Sequence, residues 1–124
     1  MDCYAGGELF YHLRNYRRFN EEMAKFYFAQ ILLAIEFLHS KKIVYRDLKP
    51  ENIVLDKMGY IKLTDFGLAK ENMGEEATTQ TFCGTPEYLA PEILRGDKYG
   101  KGVDIWCMGI LLFEMLYGFV RIII

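Results

Sequence analysis

Four polar side chains in the middle of the chain have the types and spacing for phosphoryl chemistry: Asp47, Lys49, Asn52 and Asp65. An Asp and an Asn offer hard oxygen ligands suited to Mg²⁺, an ion that keeps waters and shares its shell with phosphates. A lysine beside them can neutralise a transferring phosphoryl group. A second aspartate outside the metal shell can orient a hydroxyl and accept its proton. What gathers them is a hairpin. Ile53-Val54-Leu55 and Tyr60-Ile61-Lys62-Leu63 flank Asp56-Lys57-Met58-Gly59, which reads as a four-residue turn. If Leu55 faces Tyr60 or Ile61, Asn52 falls opposite Leu63 or Thr64, and so within roughly 5–8 Å of Asp65. Asp47 lies five residues before Asn52, on the loop leaving a short strand signal at Ile43-Val44-Tyr45.

Helices must frame this centre. Residues 8–14 read as a brief helix. Asn20 is a good N-cap, with Glu21 and Glu22 in the first turn where the helix dipole favours acids. From there to His39 runs one long helix, apolar on almost every side and therefore expected to be central and buried. Residues 65–102 hold most of the remaining Gly, Pro and Thr and read as a long functional loop. Helical periodicity returns at residues 103–117. The expected class is α+β, dominated by helix.

Composition agrees with a globular protein. The 124 residues are 52% hydrophobic and 26% charged, which excludes collagen-like and disordered classes. Fifteen Lys+Arg against seventeen Asp+Glu, without blocks of like charge, speak against nucleic-acid binding. Cys3, Cys83 and Cys107 are odd in number and lack CxxC spacing, so a reducing, cytoplasmic setting is expected. Residues 105–124 are apolar for most of their length, but the longest charge-free run ends at Phe113, short of the ~18 residues a membrane span needs. Glu114 would add roughly 2.5–3.5 kcal/mol at mid-bilayer, so no membrane insertion is expected.

Tyr45-Arg46-Asp47-Leu48-Lys49-Pro50-Glu51-Asn52 resembles the catalytic loop of the eukaryotic protein kinases, with Tyr in place of the more usual His. Asp65-Phe66-Gly67 and Ala90-Pro91-Glu92 match the family's DFG and APE motifs in the family's order. Thr81-Phe82-Cys83-Gly84-Thr85-Pro86-Glu87-Tyr88, together with the Tyr-Arg-Asp variant, is similar to the AGC group of serine/threonine kinases, near protein kinase B and the serum- and glucocorticoid-regulated kinases.

The resemblance implies ATP and Mg²⁺ as cofactors and assigns roles. Asp47 would be the catalytic base, Lys49 the γ-phosphate contact, and Thr85 the brace of the catalytic loop. Asn52 and Asp65 would hold Mg²⁺. Val54 would form the floor under adenine, with Leu111 and Met115 supporting that side and residues 1–7 forming the tail of the interdomain hinge. Glu8 would contact ribose and substrate arginine, Glu51 substrate arginine as well, and Glu87 would belong to the same substrate-facing surface. Thr81 matches an activation-loop phosphothreonine, clamped by Arg46 and Lys70, and an activating kinase would be a partner. Phe66 and Gly67 would be structural, as would Glu92 and Asp104, the latter holding the catalytic loop through its backbone amides. Substrates would be proteins with basic residues near the target Ser or Thr.

Plainer readings exist. Lone aspartates at strand ends are ordinarily turn-formers; Asp47 and Asp65 differ in sitting inside full motifs. Glu8 also reads as a helix N-terminal acid, Cys83 as structural, and His39 as a helix C-terminal residue. Residues 1–118 are expected to be part of a kinase domain and 119–124 a divergent hydrophobic tail. No GxGxxG occurs in the 124 residues, so this chain alone is expected to have little or no kinase activity, with a buried, unpaired carboxylate at Glu92. Two alternatives stay open: a non-catalytic lobe acting as a decoy for basic peptides, and a non-functional truncated product.

Overall fold

A computed structural model describes residues 6–74 and 77–118. The elements in chain order are strand β1 (Gly7–Glu8), helix α1 (Leu9–Tyr16), helix α2 (Glu21–Ser40), strands β2 (Ile53–Leu55) and β3 (Ile61–Leu63), a short helix α3 (Pro91–Leu94) and helix α4 (Gly102–Tyr117). Single 3₁₀ turns at Pro50–Asn52 and Pro86–Tyr88 carry the polar residues between them. The expected hinge residues 1–5 and the tail 119–124 lie outside the described residues.

Helix α2 starts where the sequence says it must. The Asn20 side chain accepts from the Met23 amide at 2.8 Å, with Glu21 and Glu22 in the first turn. It buries one stripe only, Ala24, Ile31, Ile35 and Leu38, against α4. Phe26, Leu32, Leu33 and Phe37 are exposed. The expectation of a helix buried on nearly every side is therefore corrected: its sequence is apolar all round, but the described residues supply a partner for one face. Helix α4 behaves alike. Val103, Asp104, Cys107, Met108, Leu111 and Met115 form its buried stripe, while Ile105, Trp106, Phe113 and Tyr117 stay exposed.

The hairpin forms with Leu55 paired to Ile61, the second of the two registers considered, and Ile53 paired to Leu63. Tyr60 falls into the turn because the Asp56 carboxylate accepts from both the Met58 and Tyr60 amides, at 2.8 and 3.0 Å. Those amides, Tyr60's first, hold the Asp56 carboxyl below its ordinary value. Glu8 is not helical; it pairs with Val54 as the third strand of the antiparallel sheet β1-β2-β3 and precedes α1, which it does not cap with its side chain. The strand signal at residues 43–45 reduces to one bridge, Val44 with Lys70. The stretch 65–102 is less irregular than expected, because α3, a 3₁₀ turn and a Thr79–Tyr99 bridge divide it.

The core has two parts. Leu9, Leu13, Phe19, Ile35, Tyr45, Leu48, Ile53, Leu111 and Met115 join α1, α2, the catalytic-loop region and α4. Val44, Met73, Leu89, Ala90, Ile93, Tyr99 and Val103 pack beneath the loop that carries Thr81. Helix α4 ends at Gly118, in the left-handed conformation (φ +82°), and a Cβ there would overlap the Arg17 carbonyl. Next to it the Phe19 amide donates to the Met115 carbonyl at 2.7 Å.

Candidate active site

Pro50 at the start of the 3₁₀ turn fixes the backbone between Lys49 and Asn52, and the turn returns the Asn52 side chain over Asp47. Asn52 Nδ2 donates to both the carbonyl and Oδ2 of Asp47, each at 2.9 Å, and both residues are buried. On the other side of the same carboxylate, Thr85 Oγ1 donates to Asp47 Oδ1 at 3.1 Å. Lys49 Nζ donates to Thr85 Oγ1 at 2.7 Å and lies 3.7 Å from Asp47 Oδ1. One carboxylate is thus gripped by an amide, a hydroxyl and an ammonium from three separate points of the chain. That is the geometry of a pre-oriented proton acceptor.

Asp65 follows from the register. The Thr64 amide donates to the Asn52 carbonyl at 2.8 Å, so Asp65 is the next residue beyond Asn52's strand partner. It is exposed, at φ +54°, and its Oδ1 accepts from the Gly67 amide at 3.2 Å. The left-handed backbone turns the carboxylate out of the strand. Both bonds of the Asn52 side chain to Asp47 use its nitrogen, which leaves Oδ1, at the opposite edge of the amide, uncommitted to Asp47. The donor set is then one amide oxygen and one carboxylate. Among the described residues no group of three or more His, Cys, Asp or Glu side chains is arranged to hold a metal. Two hard oxygens with open positions fit Mg²⁺ sharing its shell with phosphate and water, and do not fit a closed zinc or calcium cage.

Tyr45 stands behind the Asp65 turn. It is fully buried, its hydroxyl donates to the Thr64 carbonyl, and its ring meets Phe66 edge-on at 5.3 Å. Burial, then the nearby Asp47 and Asp65 charges, push its phenol up, so it remains a donor. Below, Asp104 is wholly buried on α4. Its carboxylate accepts from the Tyr45 amide and the Arg46 amide, both at 2.8 Å, and meets His39 Nε2 at 2.7 Å. His39 is therefore more than a helix terminus: it joins α2 to α4 through the carboxylate that carries the catalytic loop.

The other expected residues fall into place unevenly. Glu51, Glu87, Lys49 and Thr85 line one cleft of about 450 Å³ together with Tyr88 and Glu114. Glu114 accepts from the Tyr88 hydroxyl. Burial, then Glu51 and Glu87, push its carboxyl up to about 7. Glu114 and Tyr88 were not anticipated as site residues; the signal was there, a single acid in an apolar helix. Glu8 sits on the edge strand opposite half-buried Val54. Leu111 and Met115 are fully buried in the core.

Arg46 does not reach Thr81 directly. Thr81 Oγ1 lies 3.2 Å from Thr79 Oγ1, while Arg46 reaches the Thr81 carbonyl through the Tyr99 hydroxyl. Lys70 pairs through its backbone with Val44, at 2.8 and 2.9 Å. Glu92 is half-buried beside a cleft lined by Gly102, Ile105, Trp106, Gly109 and Ile110, so the burial expected of its carboxylate is only partial. Cys107 donates to the Tyr88 carbonyl at 3.2 Å, and burial pushes its thiol up to about 12, which makes it inert. No described helix is long and apolar enough to cross a membrane.

Comparison with known proteins agrees with this geometry. Residues 1–121 match the family model described as protein kinase domain. The chain is 59% identical over 118 residues to serine/threonine-protein kinase Sgk2 of Homo sapiens, covering 95% of this chain and 32% of that protein. It is 61% identical over 118 residues to serine/threonine-protein kinase Sgk1 of Homo sapiens and to that of Gallus gallus, in each case covering 95% of this chain and 27% of the relative. The chain spans about a third or less of the length of these curated relatives. With the gripped Asp47, the adjoining Asn52 and Asp65, and this match over nearly all its residues, the chain belongs to the protein kinase domain family.

Proposed function

We propose that this chain is the phosphoryl-acceptor side of a serine/threonine kinase that transfers the ATP γ-phosphate to protein hydroxyls, and that Asp47 is its base. The observation that carries the reading is the Asp47 carboxylate held at once by Asn52, Thr85 and Lys49. Asp47 would orient the substrate hydroxyl and take its proton, and Lys49 would place positive charge beside the transferring group. Asn52 Oδ1 and Asp65 would hold Mg²⁺, which when bound with ATP supplies charge neutralisation for the phosphates. Val54 and Glu8, neighbours across β1 and β2, would line the nucleoside side. Thr81 would be the residue an activating kinase phosphorylates, with Arg46 and Lys70 as the cations that clamp its phosphate. Free thiols at Cys83 and Cys107 support a reducing, cytoplasmic setting.

Substrates would be proteins with basic residues near the target. The cleft at Glu51, Glu87 and Glu114 supports this, because three acids converge there beside the base. The same cleft supports the second reading, a lobe that binds basic peptides without turning them over.

Manganese tests the first reading without relying on turnover. Added with ATP to the isotope-labelled chain, Mn²⁺ is expected to broaden the Asn52 side-chain amide and the Gly67 amide signals selectively, and Asp65→Asn is expected to abolish that broadening. Uniform broadening, or none, would remove the metal assignment. Alongside, the purified 124-residue chain is expected to phosphorylate an arginine-rich peptide weakly or not at all. Any turnover is expected to vanish in Asp47→Asn, and turnover that survives would remove Asp47 as the base. Peptide binding without turnover would favour the second reading.

A further inference from the structure

Tyr99 lies in the connection between α3 and α4 and is only 3% exposed. Its backbone forms a two-bond bridge with Thr79: the Thr79 amide donates to the Tyr99 carbonyl at 2.8 Å and the Tyr99 amide to the Thr79 carbonyl at 2.9 Å. Its ring packs in the smaller part of the core with Val44, Leu89 and Ile93. The hydroxyl emerges at the far side, where it donates to the Thr81 carbonyl and accepts from Arg46 Nη1 at 3.2 Å, with Cys83 Sγ at 3.8 Å. A phenol has one proton, so giving it to Thr81 turns a lone pair toward the guanidinium. Burial raises the Tyr99 phenol above its ordinary value, which keeps that proton in place.

Arg46 is held from its other side as well. Its Nε donates to the Leu68 carbonyl at 2.6 Å, its amide to Asp104 Oδ1 at 2.8 Å, and its backbone adopts φ +69°, a left-handed conformation that such a side chain rarely takes. The guanidinium therefore spans two backbone segments, with Leu68 on one bank and the Tyr99–Thr81 contact on the other. A phenylalanine would fill the same core volume without the bridge.

We propose that Tyr99 is a positioning residue whose hydroxyl fixes the Arg46 guanidinium against the Thr81 backbone, so that the cationic half of the Thr81 phosphate site is built before any phosphoryl group arrives. The proposal rests on the reading of Thr81 and Arg46 given above, and it deepens that reading by naming what orients the cation. Phosphorylation would then find a site already oriented rather than gather one from mobile side chains.

The test uses the whole 124-residue chain and solvent exchange of the arginine side-chain N–H groups. In the unaltered chain Arg46 is expected to exchange more slowly than exposed Arg95; equal rates overturn the proposal without any variant. In Tyr99→Phe, Arg46 exchange is expected to accelerate about 3- to 10-fold, the size of one net hydrogen bond. Protection of the Thr79 and Tyr99 backbone amides is expected to stay within about twofold. Unchanged Arg46 exchange overturns the proposal, as does joint loss of Arg46 and backbone protection, which would make Tyr99 a packing residue only. A second arm places phosphothreonine at 81 and follows its ionisation by phosphorus NMR. The phosphate is expected to ionise at lower pH in the unaltered chain than in Arg46→Ala, with Tyr99→Phe between them. Coincident titrations of the unaltered chain and Arg46→Ala would sink the phosphothreonine reading, whatever the first arm shows of Tyr99.

Discussion

At Glu114 the surroundings set a pH dependence whose sign can be worked out. Its carboxyl is pushed up to about 7 by burial and by the charges of Glu51 and Glu87, against an ordinary value of 4.5. Between those two values the folded chain keeps a proton that the unfolded chain has released. Stability from this group is therefore full below about 4.5, falls as pH rises to about 7, and stays lost above. Glu114→Gln keeps an acceptor for the Tyr88 hydroxyl and removes the charge. It is expected to raise stability at pH 8 by on the order of 1 kcal/mol, discounted for solvent screening, and to leave it unchanged near pH 4.5. Thermal melts of both proteins between those limits check this, and parallel curves would refute it. The gathering of Asp47, Asn52 and Asp65 was legible because each lies within a few positions of a motif that fixes its local turn. The acid cleft was only half legible. Glu51, Glu87 and Glu114 come from a 3₁₀ turn, a second turn and a helix far apart in sequence, and only tertiary packing brings the third acid to the other two.

Helix α4 is the element on which the site is mounted. Asp104 sits in its first turn, wholly buried, and takes bonds from two catalytic-loop amides and from His39. Asp104→Ala would leave three donors without their acceptor and is expected to cost about 3–5 kcal/mol, read by chemical denaturation. Amide exchange at Tyr45 and Arg46 is expected to rise with it. A loss below about 1 kcal/mol would mean that water replaces the carboxylate. Element existence was well specified by sequence: the Asn20 cap, the hairpin and the final helix all formed where periodicity and caps placed them. What sequence left open was register and burial. Leu55 had two possible partners, and the choice of Ile61 came from Asp56 closing a longer turn with its own carboxylate. The apolar surround of α2 does not say how many neighbours will arrive to cover it.

Across the described residues as a whole, those uncovered faces are the main physical fact. Leu33, Phe37 and Phe66 border a cleft of about 440 Å³ between α2 and the hairpin, all three exposed. Ile105, Trp106, Phe113 and Tyr117 make a second apolar surface along α4. Surfaces of this kind drive association in water. The 124-residue chain is expected to sediment as a mixture whose mean mass rises with concentration, and the pair Leu33→Ser and Phe37→Ser is expected to lower that mass. A single monomeric boundary at high concentration would contradict this.

One small contact reaches further than its size suggests. The closing glycine of α4 lies against the Arg17 carbonyl without room for a methyl group, while the Phe19 amide is tied to Met115. The bend that separates the first two helices is thereby latched by residues nearly a hundred positions later. On a ribosome, α1 and α2 emerge long before anything exists to lock that bend. The segment through α2 must wait with its oily stripes unsheathed until α4 has been made. That interval is when a chaperone has most to do for this protein.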